Sequence, residues 1–302
     1  MRIFVAGATG AVGRRAVPLL VATGHSVTGI ARNEVKRRQL TDQGAHGVEV
    51  DIFNPDGLRK AVAGHDAVIN LATHIPTGSR TMLPWAWSEN GRIRREGSAN
   101  LVNAALATGA SLFIQESFAP VYPNRGDEWI DESVPIKPAR YNRPIVDAEE
   151  SAARFATQGG RSIVLRFAFF YGADSGFLHD MIKSVRRGRA PAFNPEGFLS
   201  SVSHDDAASA VVAVLDAPSG TYNVVDDEPV RRREMFDIMA RELGVQSPRF
   251  LPKIVARLMG SLGETLSRSQ RISNAKIRGT TDWRPRYSSV REGLPEAIRQ
   301  IR

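Results

Sequence analysis

The chain has no cysteine, which excludes disulfides, thiolate nucleophiles and thiolate metal sites and suits a reducing compartment. It has no apolar run near the roughly 18 residues that a membrane span requires. It also shows no signal-peptide pattern, because Arg2-Ile3-Phe4-Val5-Ala6 passes into a glycine-rich stretch without a cleavage site. A cytoplasmic protein with no membrane partner is therefore expected. Internal repeats and low-complexity tracts are absent, and the six histidines show no metal-ligand spacing, so no metal is expected.

Acidic residues are scarce at one end only. The formal charge is +8, and residues 249–302 hold twelve Lys/Arg against four Asp/Glu, so this segment carries the whole excess. A basic tail raises the question of nucleic acid. The simpler reading is a solvated lobe whose cations favour small anionic substrates, and no nucleic-acid partner is expected. At 302 residues the chain can hold a large α/β unit with a smaller lobe.

The most informative stretch is Gly7-Ala8-Thr9-Gly10-Ala11-Val12-Gly13. An apolar run that reads as a buried strand precedes it, and Arg14 to Thr23 reads as a packed helix. Strand, glycine turn and helix is the context of a dinucleotide fingerprint. Gly7 allows the sharp turn, Gly10 lets a diphosphate reach the main chain, and Gly13 lets the helix lie close to the sheet. Free N–H groups of the first turn and the positive end of the helix dipole then hold the phosphates.

The G-x-x-G-x-x-G spacing, followed by repeated strand–helix units, resembles the extended branch of the short-chain dehydrogenase/reductase superfamily. The likeness runs from Ile3 to about Ala297. It implies a doubly wound parallel sheet, with a dinucleotide-binding domain over 1–171, a substrate lobe over 172–302 and some interleaving of segments. It also implies a bound NADP or NAD, a small-molecule substrate, and a homodimer as one option for assembly.

Individual motifs refine that expectation. The second strand, His25 to Ala31, ends without the acid that takes ribose hydroxyls in NAD-specific relatives. Arg32 follows, and a guanidinium can fork a 2′-phosphate, so NADP is expected over NAD. A third strand is expected over Gly47–Ile52, and the resemblance puts Asp51 and Ile52 beside the adenine. Ala67-Val68-Ile69-Asn70-Leu71-Ala72-Thr73 matches a strand that passes under the nicotinamide ribose in relatives, which assigns Leu71, Ala72 and Thr73 to the cofactor. The long connection 74–92, with Met82, Trp85 and Trp87, reads as a substrate-facing cover or as packing against the second lobe. Phe167, in Ser162 to Gly172, replaces a family proline at the nicotinamide end. Together with Phe169 in place of an asparagine it favours a fairly apolar pocket.

The catalytic motifs depart from the family pattern. Glu132, Pro135, Pro138 and Tyr141 match the segment that leads into the family's Tyr-x-x-x-Lys, but the lysine position holds Ile145. Pro144 suggests that the helix begins only there. A phenol near its reference pKa of about 10 is about one part in a thousand ionised at pH 7. The paired hydroxyl that orients the carbonyl falls on Phe118. Ser117, one place earlier, can substitute only if the strand end bulges, since adjacent strand residues face opposite ways. Arg94 stands where relatives have a structural asparagine.

Three functions remain open from these residues. The first is an NAD(P)-dependent oxidoreductase or epimerase-like enzyme with Tyr141 as proton donor and Ser117 as carbonyl orienter. The second is a dinucleotide-binding sensor or partner protein with no hydride chemistry. The third is a non-redox isomerase or dehydratase drawing on Glu116, Tyr122 or His74. His204 is expected to be packed at a helix start rather than catalytic.

Overall fold

The computed structural model describes residues 1–76 and 78–301, and the side chains of Ser79, Met82 and Pro84 lie outside the description. What was expected of Met82 in the cover therefore falls outside the described residues.

Seven parallel strands form the central sheet: β1 (Arg2–Ala6), β2 (Ser26–Ile30), β3 (His46–Val48), β4 (Ala67–Asn70), β5 (Leu112–Phe118), β6 (Arg161–Phe167) and β7 (Gly220–Val224). Their order is β7-β6-β5-β4-β1-β2-β3. This is a doubly wound arrangement whose strand order reverses beside β1, where such sheets bind ligands.

Both faces of the sheet are covered, so the strands read as continuous apolar runs rather than alternating ones. The two-residue period still sorts the side chains. Ile3, Val5, Ile69, Ile114 and Leu165 pack on one side with Leu20 of α1 (Gly13–Ala22). Phe4, Val68, Phe113 and Val164 pack on the other. There they meet Leu58 of α2 (Pro55–Val62), Leu101 of α3 (Ser98–Thr108) and Phe155 of α4 (Pro144–Thr157). Each such side chain, fully buried, contributes about 1.5–3 kcal/mol.

The second lobe has its own core. Leu178 and Ile182 of α5 (Gly176–Arg186) meet Met235, Phe236 and Met239 of α7 (Arg232–Leu243) and Leu294 of α8 (Val290–Arg299). Helix α6 (His204–Ala213), between these in sequence, instead packs against α1 on the sheet. Strand β7 likewise belongs to the sheet although it lies beyond residue 171, so the two lobes interleave.

The strand ends differ from the sequence reading. The third strand stops at Val48, opposite the last residue of β2, Ile30, and the chain then turns where the Asp51 carboxylate and carbonyl accept from Phe53 and Asn54. The fourth stops at Asn70, whose side-chain oxygen accepts from the Ala72 amide and breaks the ladder. β5 instead keeps regular register through Phe118, with Ser117 opposite Arg166 and Phe118 opposite Phe167. The expected helix from Ile93 begins earlier, at Ser88, and passes through a π-helical segment, Ile93–Gly97, before α3.

Candidate active site

Glycine geometry defines the phosphate end. Gly7 has φ +78°, and a Cβ there would lie 2.5 Å from the Leu71 carbonyl carbon and 2.7 Å from the Ala72 amide. A Cβ on Gly13 would lie 2.1 Å from the Gly7 carbonyl oxygen. These contacts hold the end of β1, the end of β4 and the start of α1 closer together than any side chain allows. Gly10 and Ala11 are exposed at the rim, with Thr9 half-buried. The Gly10 amide donates to Gly7 and that of Arg14 to Gly10. Among the described residues the amides of Ala11, Val12 and Gly13 have no acceptor, and no side chain caps α1. The turn therefore fits a diphosphate through its main chain.

Where the adenosine end was expected, Arg32 is exposed, with no carboxylate in salt-bridge range among the described residues. By contrast Arg37 pairs with Glu34 and Glu49, and Arg38 with Glu34. Asp51 is exposed. Ile52 is half-buried, in contact range of a Cβ on Gly97, and its carbonyl accepts from Asn100. Leu71 is buried, while Ala72 and Thr73 are half-buried beside the glycine turn.

Tyr141 lies in the turn Arg140–Asn142, before α4 opens at Pro144. Tyr141 and Ile145 thus do not share a regular helical turn, and Ile145 is buried. The Tyr141 ring meets Trp87 edge to face at 4.9 Å, while Trp85 is exposed. The turn also touches the helix Gly260–Ser267 of the second lobe, so Tyr141 sits where cover, nucleotide half and second lobe meet. Burial pushes its phenol up to about 12, opposed by Thr265, Arg268 and Arg94. The phenol is neutral at physiological pH.

Ser117 faces elsewhere. It is fully buried and its hydroxyl donates to Glu149 at 2.5 Å. Glu149 lies one turn after Ile145 on α4 and takes a two-pronged contact from Arg166, at 2.9 and 2.6 Å. Arg166 donates on to the Tyr122 hydroxyl at 2.8 Å, and Tyr122 to Asn223 at 2.9 Å. The regular ladder of β5 directs Ser117 into this network, so its hydroxyl is committed away from a ligand. Phe118 takes the opposite side and meets Phe169 edge to face at 5.5 Å.

Other candidates are also engaged. Glu116 is buried against Arg94 at 3.0 Å, and Tyr122 is fully buried. His74 is exposed, and its amide donates to Asn90. Phe167 is fully buried against Phe170, so the accessible aromatic surface at this end comes from Phe118 and Phe169. His204 packs on Phe170 at 5.2 Å with Nδ1 3.2 Å from Asp174, and burial with Arg15 and Arg14 pushes it down to about 4. Ser203 caps its helix through the Asp206 amide.

Sequence reasoning missed Glu149, because its role rests on pairing across from β6, and nothing local signals that. It also missed Arg232 and Arg268, whose burial depends on the second lobe.

Comparison with known proteins gives the family and the fold. A family described as NAD(P)H-binding matches residues 7–218. A 3-diazoavenalumate denitrifying reductase from a Streptomyces species is 32% identical, over 97% of this chain and 99% of that protein. Photosystem II assembly factor Ycf39 of Synechocystis is 33% identical, over 95% and 84%. The crystal structure of human epimerase family protein SDR39U1 with NADPH has the same fold, with a TM-score of 0.80 and 21% identity over 99% of both chains. No helix among the described residues is long and apolar enough to cross a membrane. With its fingerprint turn, its seven-stranded sheet and these relatives, the chain belongs to the NAD(P)H-binding, epimerase-like extended branch of the short-chain dehydrogenases/reductases.

Proposed function

We propose that the protein is an NADP-linked reductase of a small, fairly apolar carbonyl compound, with Tyr141 as the proton donor. The observation that carries this reading is a half-buried, neutral phenol at the junction of cover and lobes. Gly7, Thr9, Gly10, Ala11, Val12 and Gly13 hold the diphosphate, Asp51 and Ile52 border the adenine, and Leu71, Ala72 and Thr73 border the nicotinamide ribose. Arg32 takes the 2′-phosphate; its lack of an internal carboxylate partner supports NADP over NAD.

When bound, the reduced nicotinamide supplies hydride to the carbonyl carbon. Tyr141 gives its proton to the carbonyl oxygen, whose basicity rises as the C=O bond breaks, and recovers a proton from solvent. A phenol pushed up to about 12 donates throughout the neutral range but is a poor base there, which favours reduction over alcohol oxidation. Ser117 acts in this reading through Glu149, by fixing α4 below Tyr141. Phe118 and Phe169 supply an apolar wall, and the Streptomyces relative's name, a reductase, accords with the direction.

Following NADPH consumption over a panel of aldehydes, ketones and enones tests the proposal. Tyr141→Phe should lower kcat by about 10²–10⁴ and leave NADPH affinity unchanged; equal rates in the two proteins remove Tyr141 from the mechanism. A second reading, a cofactor-binding partner protein, is favoured by Ile145 in place of the lysine and by the assembly-factor relative. NADPH binding without turnover on any panel member selects it.

A further inference from the structure

Tyr141 lacks the cation that relatives place four residues on, since Ile145 is apolar and buried. Arg140 and Arg143, its neighbours in sequence, are exposed. Two buried guanidiniums, those of Arg268 and Arg94, act on it instead. They are held differently. Arg268 follows the helix Gly260–Ser267 and donates to the Tyr122 and Lys137 carbonyls and to Glu264, at 2.9, 2.8 and 2.6 Å, so it ties the lobes together. Arg94 is 4% exposed, and among the described residues its side chain bonds Glu116 alone. A buried pair with so little further support gains little stability against its desolvation. A structural tie accounts for Arg268 and leaves Arg94 without an explanation.

Local geometry brings Arg94 to the chemical end. It lies in the π-helical segment Ile93–Gly97, and such segments recur at functional sites. Seven residues earlier Trp87 meets the Tyr141 ring at 4.9 Å. At Gly91, three residues earlier, a Cβ would lie 3.4 Å from Pro144 Cγ. Residues 87, 91 and 94 follow one face of this helical run, so that face lies along the segment 141–144. Long side chains on a helix lean towards its N-terminus, here back towards Trp87 and Tyr141. Glu116 stands two residues before the end of β5, on the same side of the strand as Phe118. The ion pair therefore sits at the carboxyl edge of the sheet, where doubly wound folds place their ligands.

We propose that Arg94 is the positioning residue that supplies Tyr141 with the cation missing at position 145. When the Tyr141 O–H bond breaks, the proton passes to the carbonyl oxygen and the bonding pair stays on the phenol oxygen. The guanidinium stabilises that negative charge in a setting of low dielectric. An always-charged group does not exchange protons, so Arg94 holds the field while the proton returns from solvent. Glu116 fixes the guanidinium and tempers its charge. The catalytic part of this assignment rests on the reductase reading; the effect of Arg94 on the phenol does not.

A fluorotyrosine in place of Tyr141, titrated in the whole protein and followed by fluorine NMR, tests the proposal. Arg94→Met should raise the titration midpoint by about one pH unit, and Arg94→Lys should keep it near the wild-type value. Glu116→Gln, whose amide oxygen still accepts from Arg94, should lower the midpoint, because the guanidinium loses its counter-charge. A merely structural pair does not give opposite signs. No shift in Arg94→Met, or shifts of one sign in Arg94→Met and Glu116→Gln, overturns the proposal. If Arg94→Met does not fold, the sign in Glu116→Gln decides alone. With NADPH and a carbonyl that the wild type reduces, Arg94→Met should lower kcat about ten-fold at unchanged KM; a raised KM with kcat kept overturns the catalytic part. Failure of the reductase reading shows separately, as no turnover by the wild type, and the titration still decides the role of Arg94.

Discussion

The two ends of the site are built from different material. At the proposed phosphate end the material is main chain: glycines bring β1, β4 and α1 within backbone contact, and the amides of Ala11, Val12 and Gly13 have no acceptor among the described residues. At the chemical end the groups are side chains gathered from distant segments. Trp87, Tyr141 and Thr265 meet there across the lobes, and a buried network from Ser117 to Asn223 supports them from below. A main-chain site is encoded locally and tolerates change around it. A side-chain site depends on every element that positions it.

The largest way to break this contrast is at Glu149. Glu149→Ala leaves Arg166 buried and unpaired, and should cost about 3–5 kcal/mol in urea unfolding. Replacing both partners by apolar residues of similar size should recover most of the loss. A drop below 1 kcal/mol in the single variant would mean the network does not hold α4 as described.

The phosphate end should fail in another manner. In Gly7→Ala a Cβ meets Leu71 at 2.5 Å in a left-handed backbone conformation, a strain of roughly 1–3 kcal/mol. NADPH affinity measured by calorimetry should fall more than ten-fold. The Tyr141 environment, read by Trp87 fluorescence, should stay as it is.

Arg32→Glu acts on the rim alone. It should lower NADPH affinity by about ten-fold, leave NADH affinity nearly unchanged, and leave the melting temperature alone. Equal loss for both dinucleotides would remove Arg32 from 2′-phosphate recognition.

The smallest effect tests the second lobe. Burial and the neighbouring Asp206 push the Asp226 carboxyl well above the usual carboxylate range. The folded state therefore keeps a proton that the unfolded state releases. The stability this gives is complete below about pH 4 and falls as pH rises towards the folded-state value. Asp226→Asn should be more stable than wild type at pH 7, by about 1 kcal/mol. The gap should close towards pH 4 in melting experiments at the two values.

Most of the nucleotide half was legible residue by residue. Gly7, Gly10 and Gly13 carry their reasons in their spacing, and Pro144 marked the start of α4 because proline is favoured at the first helical position. Strand ends were less legible. Asn70 stops β4 through its own side-chain hydrogen bond, which competes with the ladder, yet in sequence it looks like an ordinary strand residue; β3 ends at Val48 only because its partner β2 ends opposite it.

What the chain's order of residues determined alone was the glycine turn, the alternation of strands and helices, and the loss of the Tyr-x-x-x-Lys lysine. Each depends on neighbours within a few positions, where sterics and periodicity act. Only the tertiary structure decided that Ser117 turns to Glu149, that Tyr141 meets Trp87, and that Arg232 is buried without an anion. Those outcomes depend on which distant groups share a low-dielectric interior, and no local pattern specifies that.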